Sequence, residues 1–242
     1  MGKLEWDKNG EHRYETGIDH VVLYKNNTNA YAWNGITKIT ENPSGAEPKI
    51  LWANNRKYMT LMSVEQLGLT IEAYTYPDEF RDCIGKTEIS PGVIIGQQER
   101  EHFGLSYRTL IGNDESGNDF GYKIHLVYNC LASPTEENHS STNDSPDISP
   151  FSWEVDTTPV EVGNYYLTSA LTFSSTDLKK AGMVNVLRGI EDVLYGTSKT
   201  RAYLPSVSQV MDLIDFHKKL RDSNGNAITD SNGNELLSRV FE

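Results

Sequence analysis

An alternation of apolar and polar side chains over residues 69–76 constrains the fold of this chain more than any other feature. Leu69, Ile71 and Ala73 alternate with other side chains until Pro77, which cannot donate to a strand ladder, ends the run. A period of two places alternate side chains on opposite faces of a strand. Residues 69–76 are therefore predicted to form a half-buried strand, which is typical of an antiparallel sheet with one packed face.

Similar strand patterns fill the first two thirds of the 242 residues. They cover residues 92–96, 103–111, 122–128, 151–155 and 170–173. Because residues 112–121 between two of these runs are rich in Gly, Asn and Asp, the sequence predicts a β-hairpin there. The predicted fold class is mainly β, with a mostly antiparallel sheet.

Two helices are predicted near the end of the chain. Residues 177–195 carry apolar side chains three to four positions apart, namely Met183, Leu187, Ile190 and Leu194, and Gly196 follows the last turn. Gly182 and Gly189 weaken this helix, so we expect it to pack on the sheet. A second, shorter helix is predicted over residues 206–220, after Pro205.

The formal net charge of −12 argues against a protein that grips nucleic acid, because such binding depends on clustered Lys and Arg. The imbalance lies mainly in residues 61–150, which hold 5 basic and 15 acidic residues. Two interpretations remain open from composition alone. The acids provide a solvated, repulsive surface, or they line a surface that must not hold a passing polyanion.

Neither a membrane span nor a disulfide framework is expected. The longest apolar runs, such as Val93–Ile95, fall far short of the roughly 20 residues that a spanning helix needs. Residues 1–7 lack the apolar stretch of a signal peptide, so a cytoplasmic product is predicted. Cys83 and Cys130 form neither a disulfide pattern nor a zinc-ligand spacing.

The sequence contains no motif for catalysis. It has no Gly-x-Ser-x-Gly, no phosphate-binding Gly-rich loop and no His-Glu-x-x-His. Glu99 and Glu101 share one face if their segment is a strand, but acidic pairs are common in such an acidic chain. The segment Asp222–Asn226 repeats at Asp230–Asn234, which favours two tight turns over part of a calcium loop. We expect no enzyme, no cofactor and no metal.

Three stretches are predicted to be mobile or loop-like: an N-terminal arm at about residues 1–20, a long loop at about 41–60 and a mobile loop at about 133–150. The first two nevertheless contain large apolar side chains: Trp6, Tyr14, Leu51, Trp52, Tyr58 and Met59. Apolar side chains on a long loop need a surface to cover. That surface belongs either to the loop's own core or to a neighbouring molecule.

Specific segments resemble the major tail protein, or tail tube protein, of long-tailed non-contractile bacteriophages. The likeness runs in register from about residue 4 to about residue 216, and the segment Arg108–Asp114 is highly specific. The last 25 residues have no firm counterpart. The segments that carry the resemblance are Tyr74–Phe80, Gly96–Gln98, Phe103–Asp114, Gly121–Tyr128, Phe151–Val155 and Leu194–Thr197.

This resemblance implies a β-sandwich-like or barrel-like tail tube fold flanked by a helix. It forms a single domain over residues 1–242, with a C-terminal arm at about 221–242. Six subunits would close into a ring around a continuous β-barrel, and the rings would stack into the tube that delivers the genome to the host. The implied location is the virion tail, assembled in the bacterial cytoplasm. The implied partners are further copies of the chain and the tape-measure, tail-terminator and distal tail proteins, while double-stranded DNA passes through without specific binding.

Two sets of residues are assigned roles under this implied architecture. The aromatic and apolar side chains of the arms become candidate inter-ring contacts: Trp6, Tyr14, Leu51, Trp52, Tyr58 and Met59. Acidic side chains that we expect to be exposed on strands become candidates to line the lumen: Glu72, Glu99, Glu101 and Glu154. The family has no catalytic residues, so none is assigned.

Other functions remain possible from the residues alone. The tubes of contractile tails and type VI secretion follow the same ring logic. A carbohydrate-binding β-sandwich would use Trp33, Trp52 and Tyr58 as a stacking platform and residues 222–234 as a calcium site. A two-carboxylate hydrolase would need a deep cleft in which one carboxyl has a raised pKa.

Overall fold

Two hydrophobic cores, one on each side of a large antiparallel sheet, organise the chain in this computed structural model, which describes residues 5–138, 141, 150–163 and 165–218. The protein is mainly β, as the sequence predicts. The strands are β1 Arg13–Lys25, β2 Asn29–Ala32, β3 Ile36–Gly45, β4 Pro48–Ala53, β5 Arg56–Met62, β6 Glu65–Ala73, β7 Thr87–Ser90, β8 Val93–Ile95, β9 Phe103–Asn113, β10 Gly117–Ala132, β11 Phe151–Thr157, β12 Val160–Val162, β13 Tyr165–Thr168 and β14 Ala170–Ser174. The helices are α1 Phe80–Cys83, α2 Ser175–Lys180, α3 Val184–Tyr195 and α4 Val207–Lys218.

The main sheet has the strand order β2-β1-β9-β10-β11-β6-β3, and β14 also pairs with β10. Strand β10 is central because it pairs with β9 on one side and with β14 and then β11 on the other. The β9–β10 hairpin confirms the pairing predicted from the Gly-rich segment, although its turn occupies only the residues between Asn113 and Gly117. Three further two-stranded sheets, β4–β5, β7–β8 and β12–β13, lie outside the main sheet.

The first core packs side chains from strands at both ends of the sheet order around one group of aromatic rings. Trp153 of β11 contacts Phe80 of α1 edge to face, with ring centroids 5.2 Å apart, and Trp33 lies 4.4 Å from Phe80. Phe80 is fully buried and also contacts Phe103 of β9. The short helix α1 therefore holds the two halves of the sheet together through one aromatic side chain.

The second core lies between the opposite face of β1, β9, β10 and β14 and the helices α3 and α4. Its buried side chains include Val22, Tyr24, Ile124, Leu126, Val186, Leu187, Ile190, Leu194 and Val210. The hydroxyl of Tyr24 donates to the carbonyl oxygen of Leu194 at 2.9 Å, which ties the end of α3 to the sheet. The expectation that this helix packs on a sheet is confirmed.

One β-bulge in β10 allows the same strand to serve both cores. Asn129 adopts a left-handed φ of 48°, and the pairing with β9 shifts between Val127 and Cys130. As a result, Val127 and Cys130 both face the first core, whereas Tyr128 faces the second. A bulge that adds a residue to one strand re-aims the side chains beyond it.

The predicted flanking helix is interrupted, so its single span of residues 177–195 is wrong. Gly182, at a φ of 65°, ends α2 because this left-handed conformation favours glycine. The amide of Met183 donates to the carbonyl of Leu178 at 2.8 Å and that of Gly182 to Lys179 at 3.0 Å, which is the Schellman arrangement. The chain then starts α3 in a new direction and ends it at Gly196, as predicted.

The predicted second helix corresponds to α4, which begins with a reciprocal cap. The amide of Ser206 donates to Oε1 of Gln209 at 2.8 Å, and the amide of Gln209 donates to Oγ of Ser206 at 3.3 Å. Together these bonds form a capping box, which satisfies two otherwise free amide groups at the helix start.

The long loop predicted at residues 41–60 is wrong, because this segment continues β3 and forms the β4–β5 hairpin. Pro43 and Gly45 resemble a turn in the sequence, yet a proline is tolerated in an edge strand such as β3. The N-terminal arm is also shorter than predicted, since β1 begins at Arg13 and pairs with β9. Most of the predicted mobile loop at 133–150 and the whole C-terminal arm at 221–242 lie outside the described residues.

We expect Phe80→Ala to lower the free energy of unfolding by about 3–5 kcal/mol, because it empties the centre of the first core. Urea unfolding of the dilute protein measures the change. The control Tyr166→Ala alters a side chain that is 98% exposed and should stay within about 0.5 kcal/mol of wild type. Equal losses for the two variants would show that α1 does not hold the sheet halves together.

Candidate assembly surface

Apolar side chains that the two cores leave uncovered are concentrated on the three small hairpins. Thirteen of the nineteen large exposed hydrophobic residues of the described chain lie there. They are Ile50, Trp52, Tyr58, Met59, Leu61 and Met62 on β4–β5, Ile89, Val93, Ile94 and Ile95 on β7–β8, and Tyr165, Tyr166 and Leu167 on β13. Exposed apolar groups concentrated in this way mark interaction sites.

The β4–β5 hairpin extends the β3–β6 pair beyond the end of the main sheet. Its six-residue strand β4 can reach about 20 Å further at the usual strand rise. Left-handed φ angles of 81° at Gly45 and 54° at Ala46 mark the junction, and the amide of Ala46 donates to Oγ of Ser63 at 3.0 Å. Asn54 and Asn55, both with positive φ, form the tip, as expected for a tight hairpin turn.

Both faces of this hairpin carry apolar side chains. Leu51 lies opposite Met59 on one face, while Ile50 and Met62 lie on the other, and every residue of β5 is exposed. A hairpin that packed on its own sheet would bury one face. The β4–β5 hairpin therefore offers two apolar faces to another molecule.

The four contact residues predicted within segment 41–60 all lie on this hairpin, namely Leu51, Trp52, Tyr58 and Met59. Trp52 is 69% and Tyr58 66% exposed, Met59 is also exposed, and Leu51 is partly buried against its neighbouring strand. The sequence placed these residues in one segment but did not reveal that a hairpin presents them. Two Asn residues at a tip flanked by strand-forming side chains were the missed signal.

The two contact residues predicted in the N-terminal arm lie in different environments. Trp6 is 75% exposed. Tyr14 is part of β1, where its ring packs over Gly112 and its hydroxyl donates to Oδ1 of Asn118 at 2.8 Å. The preceding residues are held by Asp114, which accepts from the amide of Gly10 at 3.0 Å. Half of the predicted arm is thus fixed on the sheet.

The β7–β8 hairpin and α1 form a second exposed surface, in which apolar side chains adjoin paired charges. Arg81 binds two carboxylates, Asp78 at 2.6 Å and Glu88 at 3.4 Å. Glu88 pairs across the hairpin with Ile94, and the amide of Gly92 donates to Oε1 of Glu88 at 2.8 Å. The charges around this hairpin are therefore held in fixed positions.

The four candidate lumen acids are not equivalent. Glu72 of β6 and Glu154 of β11 lie on the face of the sheet opposite to the first core, with Glu72 3.7 Å from the amine of Lys38. Glu99 and Glu101 lie in the irregular segment between β8 and β9, so their predicted placement on a strand is wrong. The carboxylate of Glu101 instead binds the amine of Lys25 at 3.1 Å.

Among the described residues, the side chains named for the alternative functions are not brought together. Trp33 is 3% exposed in the first core, so it cannot join Trp52 and Tyr58 in a stacking platform. Glu99 and Glu101 do not share a strand face, as a two-carboxylate site there would require. The proposed calcium segment at 222–234 lies outside the described residues, and no group of three or more potential metal-binding side chains occurs within them.

A partly buried polar cluster extends from the first core. The ring of His125 stacks on Tyr107 with centroids 4.6 Å apart, and Thr109 lies 3.0 Å from Nε2 of His125. Burial lowers the pKa of His125, although the carboxylates of Glu41 and Glu15 oppose that shift. The hydroxyl of Tyr107 donates to Glu41. This cluster is a network of structural hydrogen bonds around a histidine whose pKa burial lowers.

Asp19 and Arg108 form a bidentate ion pair between β1 and β9. Nε and Nη2 of Arg108 donate to the two carboxylate oxygens of Asp19 at 2.6 and 2.7 Å. These hydrogen bonds hold the pKa of Asp19 below its ordinary value. The same guanidinium lies 4.8 Å above the ring of Tyr122, so Arg108 contacts both β1 and β10.

Among the described residues, no helix is long and apolar enough to cross a membrane. No family model matches the chain, and no curated protein matches it. A chain of the cryo-EM structure of the anti-feeding prophage baseplate, 6-fold symmetrised, is similar over 70% of this chain and 97% of that chain, with 9% identity and a TM-score of 0.32. A TM-score this low carries no argument about function.

We expect the free energy of unfolding to fall as the pH decreases below histidine's ordinary pKa of 6.5, in part because of His125. The folded state resists protonation of this group, whereas the unfolded chain takes up a proton near the ordinary pKa. The contribution of His125 to the free energy of unfolding is therefore present above pH 6.5 and is lost as the pH falls. His125→Gln should therefore make this pH dependence shallower, as measured by urea unfolding across the range.

His12→Gln provides the matched comparison. Its hydrogen bond to Asp114 raises the pKa of exposed His12, so this group favours folding below 6.5 and loses that contribution as the pH rises. Removing it should make the decline toward acid pH steeper. Identical slopes for the two variants would contradict the environments described for these histidines.

Proposed function

We propose that this chain is a structural virion protein, a building block that forms hexameric rings stacked into the tail tube of a long-tailed bacteriophage. The observation that carries the proposal is the β4–β5 hairpin, which projects from the sheet with apolar side chains on both faces. The resemblance of residues 4–216 to the tail tube family supplies the ring and its sixfold number. The chain is not an enzyme under this proposal.

The energetic argument concerns side chains that water would otherwise surround. Full burial of one large apolar side chain is worth about 1.5–3 kcal/mol, and Trp52, Tyr58 and Met62 are each more than 60% exposed. An isolated two-stranded hairpin is at best marginally stable in water. A second copy of the chain that covered this hairpin would supply both the missing burial and the missing order.

Strand edges that lack a pairing partner also support lateral association between subunits. Among the described residues, β3 pairs only with β6, and residues 13–20 of β1 pair only with β9. Unpaired strand borders are templates for another chain. A contact between two different strand edges is heterologous. It produces a closed ring when the rotation that relates neighbouring subunits returns to the first subunit.

The acidic character of the chain suits a channel that DNA crosses without binding. Glu72 and Glu154 share the solvent-facing side of the β6–β11 pair, opposite Lys38 of β3. We assign this face to the lumen, with double-stranded DNA as its passing content. Tape-measure, tail-terminator and distal tail proteins are the expected further partners, and the location is the virion tail after assembly in the host cytoplasm.

Replacing Trp52 and Tyr58 together by serine should abolish tube formation while leaving the fold intact, because both side chains are exposed in the lone subunit. Negative-stain microscopy and pelleting measure assembly, and circular dichroism measures folding. Val184→Ser, at an exposed position on α3, is the matched control and should assemble normally. Wild-type protein that stays monomeric at high concentration would refute the proposed function itself.

Glu72→Lys with Glu154→Lys should leave tubes intact but make them retain DNA, since the change replaces repulsion of phosphate by attraction. Co-pelleting of assembled tubes with linear double-stranded DNA, at several salt concentrations, gives the readout. Lys179→Glu with Lys180→Glu, on α2, serves as a charge control. Variant tubes that bind no more DNA than wild type would remove these two acids from the lumen.

A further inference from the structure

The β4–β5 hairpin carries a surplus of positive charge as well as its apolar side chains. Lys49, Arg56 and Lys57 are all exposed, and the strand-turn-strand segment 48–62 contains no acidic residue. A basic hairpin is unusual in a chain whose net charge is −12. Its natural complement is a surface that is both acidic and apolar.

Such a surface lies around α1 and β7–β8. Residues 74–102 hold six acidic and three basic residues. Arg81 is shared by Asp78 and Glu88, and Lys25 is shared by Asp82 and Glu101, so each cation leaves one carboxylate charge unbalanced. Exposed Glu99 adds to this surplus.

The apolar part of the same surface is immediately beside these charges. Ile89, Val93 and Ile94 are between 44% and 62% exposed, and Glu88 lies directly across the hairpin from Ile94. The segment that carries Glu99 runs back along α1, since the amide of Gln98 donates to the carbonyl of Gly85 at 3.0 Å. We name this set of residues, 78–101, the acidic hairpin surface.

The two surfaces leave the sheet at opposite ends of one strand. The β4–β5 hairpin adjoins the first residue of β6, Glu65, whereas α1 follows its last residue, Ala73. Nine residues of strand separate these ends by about 30 Å. The basic hairpin, which points away from the sheet, cannot cover the acidic hairpin surface of its own chain.

We propose that the β4–β5 hairpin of one copy docks on the acidic hairpin surface of a second copy. Apolar side chains of the two hairpins cover each other, and Arg56 and Lys57 face Glu88 and Glu99. This inference rests on the proposed tube and names the two faces that join along its axis. A head-to-tail contact between different surfaces repeats without closing, which produces a stack.

A polyanion is a poorer occupant for the basic hairpin. Phosphates would pair with Arg56 and Lys57 but would leave Trp52 and Met62 uncovered. The acidic body of the chain would also repel a long nucleic acid. Only a surface with both apolar and acidic groups matches the whole hairpin.

Charge reversal on each side separately, and then on both sides of one chain, tests this pairing. Arg56→Glu with Lys57→Glu, and Glu88→Lys with Glu99→Lys, should each raise the critical concentration for assembly by about tenfold, because attractive pairs become repulsive. The chain with all four substitutions should regain assembly close to wild type. Pelleting and negative-stain microscopy provide the measurement.

Mixing the two double variants gives an independent readout. Each hairpin then matches the acceptor of the other variant, so an alternating stack should form at concentrations too low for either variant to assemble alone. Lys179→Glu with Lys180→Glu, again as a charge control, should leave assembly unchanged. Thermal melting identifies any variant that fails to fold, and the milder Glu88→Gln with Glu99→Gln then replaces the acceptor reversal.

Two outcomes would overturn the proposal while leaving the tube intact. If neither double reversal changes the critical concentration, these charges do not join the copies. If the hairpin reversal blocks assembly and the fourfold variant stays blocked, the hairpin docks elsewhere. Failure of wild-type protein to assemble, measured in the same series, would instead count against the proposed function.

Discussion

Strand β10 imposes the constraint on which the rest of the fold depends, because it must satisfy two cores at once. Its first half pairs with β9 and β14 beneath the helices, and its second half pairs with β9 and β11 around the aromatic core. The bulge at Asn129 makes this possible by turning Cys130 toward the side that Val127 already occupies. Without that shift, the second half of the strand would present its apolar side chains to the wrong side.

One chain therefore combines a well-packed main sheet with small hairpins that bury little apolar area. The main sheet buries its large side chains on both faces, while the β4–β5 and β7–β8 hairpins and strand β13 leave theirs exposed. Two strands alone bury too little area to be stable independently. Under the proposed function, other copies of the chain would cover these hairpins.

Alternation and spacing predicted the strands β6, β9, β10, β11 and β14 and both regions of helix, because these patterns arise from one apolar face on a local element. They did not predict that Trp33 is buried while Trp52 is exposed, since tertiary packing alone distinguishes two residues of the same type. Pro43 and Gly45 concealed the continuation of β3. The ion pair of Glu101 with Lys25 joins residues 76 positions apart, which no local pattern reveals.

The two cysteines of the first core carry a consequence for chemical durability. Burial raises the pKa of the Cys83 thiol to about 12 and also raises that of Cys130. Oxidants and disulfides react with the thiolate, which is then almost absent at neutral pH. Under the proposed function, a virion built from this subunit would carry both sulfurs as unmodified core atoms when it leaves the reducing cell.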